Sequence, residues 1–297
     1  MASDASPQFR KLVARLRARG RVPLGDLAMM RAGMEAVALP VADDVTVAPT
    51  SVAGMPAEWL AAPSADDRVI LYVHGGGFCL GSLRTHRKLA GDVARAAGAR
   101  VLLVDYPLAP ERPFPAAIHA LVGAYEELRR TTPAARIALA GDSAGGGLAV
   151  AALVALRERG AALPAAAACI SPWVDLVRTD PVPAACITAD PIVAPEDLVV
   201  MGDWYLAGAD PAAALASPVR ADLRGLPPLL VHVGAAEVLV ADAEALAERA
   251  RAAGVAVTLE VWPEMIHVWH IFAGRVPEAT AAVERVGAFL RQRFAAR

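Results

Sequence analysis

Three cysteines in 297 residues, at Cys79, Cys169 and Cys186, are too few and too irregularly spaced for a disulfide framework. With no C-x-x-C pair they suggest no zinc site either, and each is expected to be a small core or pocket hydrophobe. Aromatic residues are scarce at 5%, and the 29 lysines and arginines do not outnumber the 31 acidic residues. A chain with neither a basic face nor a supply of stacking side chains is not expected to bind nucleic acid. Although 56% of the residues are hydrophobic, no window reaches the ~20 unbroken apolar positions of a membrane span. The opening "MASDASPQFRKLVARLRARG" is charged throughout and lacks the apolar centre of a secretory signal, so a soluble, cytoplasmic protein is expected. The phosphate-cradling patterns G-x-x-x-x-G-K-[ST] and G-x-G-x-x-G are missing as well.

What is present is an alternation of short apolar runs with amphipathic segments. "RVILYVHGG", "ARVLLVDYPL", "RIALAGDS", "AAACISPWVDL", "PPLLVHVG" and "VTLEVWP" read as strands, preceded by "DVTVAP" and "AEWLAAP". Between them "HRKLAGDVARAAG", "PAAIHALVGAYEELRRT", "LAVAALVALRER" and "DAEALAERARAAG" read as helices, with a terminal helix from about Glu278. Such alternation predicts an α/β fold with a mostly parallel central sheet covered by helices on both faces. The rhythm breaks in a proline-studded stretch whose "PEDLVVMGDWYLAG" reads as a helix. The expected organisation is N-terminal helices over 1–43, a core of 44–177 with 216–297, and an insertion at 178–215 that forms a cap with the N-terminal helices.

Ser143 lies in "LAGDSAGGGLAV", at a corner between a buried strand and a helix. Gly141 and Gly145 complete G-x-S-x-G, the spacing of a nucleophile elbow, in which small neighbours permit a sharp turn that exposes the hydroxyl. A serine hydroxyl is a weak nucleophile until an imidazole takes its proton and a carboxylate orients that imidazole. In a sheet of this order the base follows the acid and the acid follows the serine, which passes over His74, His86, His119 and His232. His267, in the loop after the last strand, is the expected base, and His270 is assigned a structural or surface role. The acid is expected just after the preceding strand, at Glu237; Asp242 is the alternative, while Asp242 and Glu244 both suit the positive start of a helix. Asp142 is expected to point away from the serine and hold a neighbouring loop.

The glycine run after His74, "HGGGF", lets backbone N–H groups approach a ligand closely. The amides of Gly76 and Gly77, joined by that of Ala144, are the expected donors to an oxyanion. Phe78, Cys79, Trp173, Trp204 and Tyr205 are candidates for an apolar acyl or alcohol pocket.

Together "HGGGF", "GDSAGG" and the late "MIHVW" resemble the hormone-sensitive-lipase-like family of α/β-hydrolase esterases, the bacterial family IV carboxylesterases. "DYPLAPERPFPAA" and "SPWVDL" extend the resemblance over nearly the whole chain. The resemblance implies an α/β-hydrolase core with a helical cap, hydrolysis of soluble short-chain esters, and neither metal nor organic cofactor. It also implies Ser143 as nucleophile, His267 as base, and Gly76, Gly77 and Ala144 as oxyanion donors. Many members carry the acid as aspartate in a "DPL" triplet, where this chain has "EVL" at 237–239. The alternatives left open are an amide, lactone or carbamate hydrolase of the same fold, and a non-catalytic ligand-binding relative. A homodimer through the edge strand "VTLEVW" is the expected assembly.

Overall fold

The computed structural model describes residues 5–21, 25–177, 186 and 189–295. Eight strands form one sheet: β1 (Thr46–Val52), β2 (Met55–Ala61), β3 (Val69–Val73), β4 (Arg100–Val104), β5 (Ile137–Asp142), β6 (Ala167–Ile170), β7 (Leu229–Gly234) and β8 (Val257–Trp262). Their spatial order is β1-β2-β4-β3-β5-β6-β7-β8, antiparallel at β1, β2 and β4 and parallel from β4 to β8. The fold is that of an α/β hydrolase.

The inner strands are apolar on both faces because both faces are covered. In β3, Val69, Leu71 and Val73 enter one core layer, and Ile70 and Tyr72 enter the other. The first layer is closed by α4 (Ala116–Leu128), α5 (Ala144–Glu158) and α7 (Val240–Ala252). The second is closed by α3 (Leu83–Ala97) and α8 (Pro277–Ala295). Helix α3 starts in a capping box, with Ser82 and Thr85 each bonding the other's backbone N–H, and stops at Gly98 in the left-handed region. The β4-to-β3 crossing places the carboxyl ends of β3, β5, β6 and β7 along one rim, where loops after parallel strands converge.

Two helices lie outside these layers at the start, α1 (Pro7–Arg19) and α2 (Leu27–Glu35), and one in the later break, α6 (Pro195–Leu206). Arg21 binds Asp197 (2.5 Å) and Glu196 (3.0 Å) at the start of α6. Arg31 of α2 donates to the carbonyls of Cys79 (2.9 Å) and Ala109 (3.2 Å) and pairs with Glu111 (2.6 Å). Residues 178–185, 187 and 188 of the expected insertion lie outside the described residues. Among the described residues no helix is long and apolar enough to cross a membrane.

One strand is shorter than its sequence suggests. "AAACISPWVDL" reads as a continuous strand, but β6 stops at Ile170 because Ser171 takes φ +46. There the Ser171 N–H donates to the His232 carbonyl (2.7 Å) and the Trp173 N–H to that of Ser143 (3.0 Å), so the segment turns under the elbow. The three cysteines are free and buried, as expected.

Candidate active site

Ser143 sits between β5 and α5 with φ +53 and ψ −125, a conformation L-residues rarely adopt. Backbone packing holds it there. Its N–H donates to the Ile170 carbonyl (2.8 Å), and its carbonyl accepts from Gly147 (3.2 Å) and Trp173 (3.0 Å). A Cβ on Gly145 would collide with the carbonyls of Val73 and His74, and one on Gly147 with that of Trp173. The glycines after the serine therefore allow α5 to begin directly against β3 and the turn after β6.

The loops after β7 and β8 bring Glu237 and His267 to this corner. Ser143 Oγ lies 2.9 Å from His267 Nε2, and His267 Nδ1 lies 3.0 Å from Glu237 Oε2. A carboxylate can only accept, so Nδ1 carries the proton in the neutral imidazole and Nε2 is left to accept the serine hydroxyl proton. Glu237 is fully buried, and its Oε1 accepts from the Gly234 N–H (2.6 Å) and the Ser171 hydroxyl (2.7 Å). Ser171 Oγ in turn accepts from the Val268 N–H (3.2 Å). Burial disfavours the His267 cation, but the hydrogen bond and charge of Glu237, with the charges of Asp190 and Asp142, outweigh it and hold the imidazole above its ordinary value.

Asp242 is not brought to the histidine. Its Oδ2 accepts the N–H groups of Val174 and Asp175, each at 3.0 Å, and so pins the turn after β6. Asp142 also points away from the elbow, accepting from Tyr72 Oη (2.9 Å) with His86 Nε2 at 3.4 Å. Burial opposes its charge, but the His86 imidazole and Tyr72 hydroxyl bring its carboxyl below the usual range. A Cβ on Gly75 would collide with this carboxylate, which places Asp142 beneath the glycine loop. His74 is buried with its pKa pushed down to about 3 by burial and by His86, so it is a neutral structural imidazole. His270 is no surface residue: it is fully buried, its Nε2 3.1 Å from His232 Nδ1.

Gly76 and Gly77 take φ +115 and +59, and among the described residues no acceptor meets their N–H groups or that of Ala144. Next to this loop Phe78, Leu148, Trp173, Tyr205 and Leu215 line a narrow crevice with no room for a water molecule between its walls. Cys79 and Trp204 do not line it: the Cys79 thiol is turned toward the Met201 carbonyl (3.7 Å), and Trp204 packs against the core. Among the described residues no cluster of His, Cys, Asp and Glu is arranged to hold a metal ion.

Three residues of this site had no role assigned from the sequence, although Ser171 opens the stretch "SPWVDL". Arg31 clamps the carbonyl of Cys79, just past the glycine run, from α2. Ser171 supports Glu237, and Asp190 accepts the backbone N–H of His267 (3.1 Å).

A family described as alpha/beta hydrolase fold matches residues 70–271. An acetyl-hydrolase of Streptomyces hygroscopicus is 50% identical over 236 residues, 79% of either chain. Among solved structures, EstE5 soaked by ethyl alcohol superposes with a TM-score of 0.96 at 47% identity, covering 98% of this chain and all of that one. An esterase from the bacterial hormone-sensitive lipase family superposes with a TM-score of 0.94 at 48% identity and the same coverage.

Proposed function

The chain belongs to the α/β-hydrolase fold family, in its hormone-sensitive-lipase-like branch of carboxylic ester hydrolases, and from that premise we propose that it cleaves short-chain soluble esters through Ser143, His267 and Glu237. The observation that carries this reading is the unbroken chain from Ser143 Oγ to His267 (2.9 Å) to Glu237 (3.0 Å) inside the strand-to-helix corner. In the first half-reaction Oγ attacks the ester carbonyl while Nε2 takes its proton; Glu237 steadies the resulting imidazolium, which then protonates the departing alcohol. In the second half, water attacks the acyl-serine by the same route.

The unmatched N–H groups of Gly76, Gly77 and Ala144 are the assigned donors to the tetrahedral oxyanion, and losing one such donor commonly lowers turnover by about 100-fold or more. The crevice beside them favours a short acyl group. Its walls, Phe78, Leu148, Trp173 and Tyr205, leave no depth for a long chain. Helices α1, α2 and α6 are read as a cap over this rim, supported by the Arg21 and Arg31 contacts. Three free buried cysteines suit a reducing compartment, in keeping with a cytoplasmic enzyme.

The test is release of p-nitrophenol from C2 to C16 acyl esters. Activity is expected to peak at short chains and to fall by about 10⁴-fold or more in Ser143→Ala and His267→Ala. A folded wild-type protein inert on every ester, or a Ser143→Ala variant that keeps full activity, rejects the reading.

The assembly proposed is a homodimer through β8. This strand lies at the sheet edge with Val261 exposed, which leaves backbone groups free to pair with a second copy. Light scattering should give twice the chain mass; a monodisperse monomer at assay concentration rejects the dimer.

A further inference from the structure

A second carboxylate reaches the acid–base side from outside the sheet layers. Asp190 lies before α6 in the break between β6 and β7 and is 6% exposed. Its Oδ2 accepts the His267 N–H (3.1 Å), its Oδ1 accepts the Ile192 N–H (2.9 Å), and its own N–H donates to the Cys186 carbonyl (3.1 Å). Among the described residues the titratable groups facing it are His267 and Glu237, from the loops after β8 and β7, and the Cys186 thiol of its own segment. Arg17 of α1 reaches this segment at the Ala189 carbonyl (2.9 Å), not at the carboxylate.

An anchor for two backbone N–H groups needs acceptors and no charge, and a neutral amide would supply one of the two without burying a charge. The carboxyl is pushed up to about 6, chiefly by burial; His267 pulls it down and Glu237 pushes it further up. Two buried carboxylates at His267, one on its imidazole and one on its backbone N–H, are unfavourable at rest and favourable only when the imidazole turns positive. That happens in each half-reaction.

We propose that Asp190 is a positioning residue for catalysis: it fixes the backbone of the His267 loop and, as a carboxylate, stabilises the imidazolium formed when His267 takes the Ser143 proton. This rests on the reading of His267 as the base. The segment bearing α6 then contributes to proton transfer as well as to enclosure, because His267 has its second counter-charge only while Asp190 is docked against it.

The sign of the stability effect separates this role from a structural one. A carboxyl whose folded pKa lies above its ordinary 3.8 binds its proton more tightly in the folded protein. The stability cost of its charge is therefore absent below that ordinary value and full above about pH 6. Asp190→Asn keeps an acceptor for the His267 N–H, leaves the Ile192 N–H without one and removes this cost, so it is expected to melt nearer to wild type at pH 8 than Asp190→Ala.

The experiment compares wild type, Asp190→Asn and Asp190→Ala by kcat/KM against pH, by NMR titration of the His267 imidazole, and by thermal unfolding. In both variants the acid limb and the His267 titration should move to lower pH. The kcat should drop by about tenfold, a minor part of the ~100- to 10,000-fold that base catalysis supplies, with KM within about twofold of wild type. Asp190→Ala should melt lowest of the three at pH 8. An Asp190→Asn variant with the wild-type limb, titration and kcat would reduce Asp190 to a backbone anchor and overturn the proposal. The imidazole titration is read without turnover, so failure of the base assignment, shown by an active His267→Ala, is distinguished from failure of the Asp190 role.

Discussion

The two halves of the active site are held by different forces. On the nucleophile side, Ser143 is fixed by backbone against backbone: glycines at 145 and 147 stand where a Cβ would overlap the carbonyls of Val73, His74 and Trp173. On the acid–base side a Cβ on Gly234 would overlap the Met265 carbonyl, two residues before His267, but the histidine side chain itself is placed otherwise. It is held by hydrogen bonds from side chains distant in sequence, through Glu237 (3.0 Å), Asp190 (3.1 Å) and Ser171, which binds both Glu237 and the Val268 N–H. A steric constraint tolerates one residue type and leaves a repeated, local signature. A hydrogen-bond constraint tolerates any acceptor at the right distance and leaves almost none.

The strongest way to break this contrast is to change the acid–base side without changing its shape. Glu237→Gln keeps the volume and one acceptor but removes the charge that stabilises the imidazolium and the acceptor that sets the tautomer. A loss of about 10⁴-fold in kcat is expected, by analogy with the aspartate of serine proteases, together with an unchanged fold by circular dichroism. Asp242→Ala is the matched comparison. It leaves the N–H groups of Val174 and Asp175 without their shared acceptor, which should cost about 1–3 kcal/mol of stability while kcat stays within a few-fold. Equal kinetic losses in the two variants would mean that the acid has been misassigned.

The same contrast explains how much was legible beforehand. Strand and helix alternation announced the sheet, since periodicity follows directly from burial on two faces. The corner at Ser143 was legible from its glycines, and His267 and Glu237 from their order along the chain. Asp242 differs from Glu237 by five positions, and strand ends alone leave the choice between them to geometry. Asp190 and Ser171 stand in unremarkable surroundings; their roles arise from |i−j| separations of 77 and 66 residues. The end of β6 was missed because the apolar run "CISPWV" continues past Ile170, and only the positive φ of Ser171 ends the strand. Of the two roles left open for His270, the structural one holds, because it is buried against His232 of β7.

The steric half of the comparison is tested by adding single methyl groups. In the interior of a helix, glycine to alanine ordinarily gains about 0.5–1 kcal/mol, because alanine loses less chain entropy on folding. Gly123 on α4 is open to part of that gain, since a Cβ there meets only the Ala53 methyl, at 3.3 Å, a tight contact that a shift of a few tenths of an ångström would relieve. Gly147 on α5 is not, because its Cβ would overlap the Trp173 carbonyl, whose residue also donates its N–H to the Ser143 carbonyl. Gly147→Ala should therefore lose about 1–3 kcal/mol by overpacking and shift the elbow enough to lower kcat, while Gly123→Ala leaves kcat unchanged and stays within about 1 kcal/mol of wild type in stability. Denaturant melts of the two variants read the difference directly. A Gly147→Ala protein as stable and active as wild type would show that the turn after β6 yields to the methyl group, and that Ser143 is held by its hydrogen bonds to Ile170 and Trp173, as the acid–base side is held by its own.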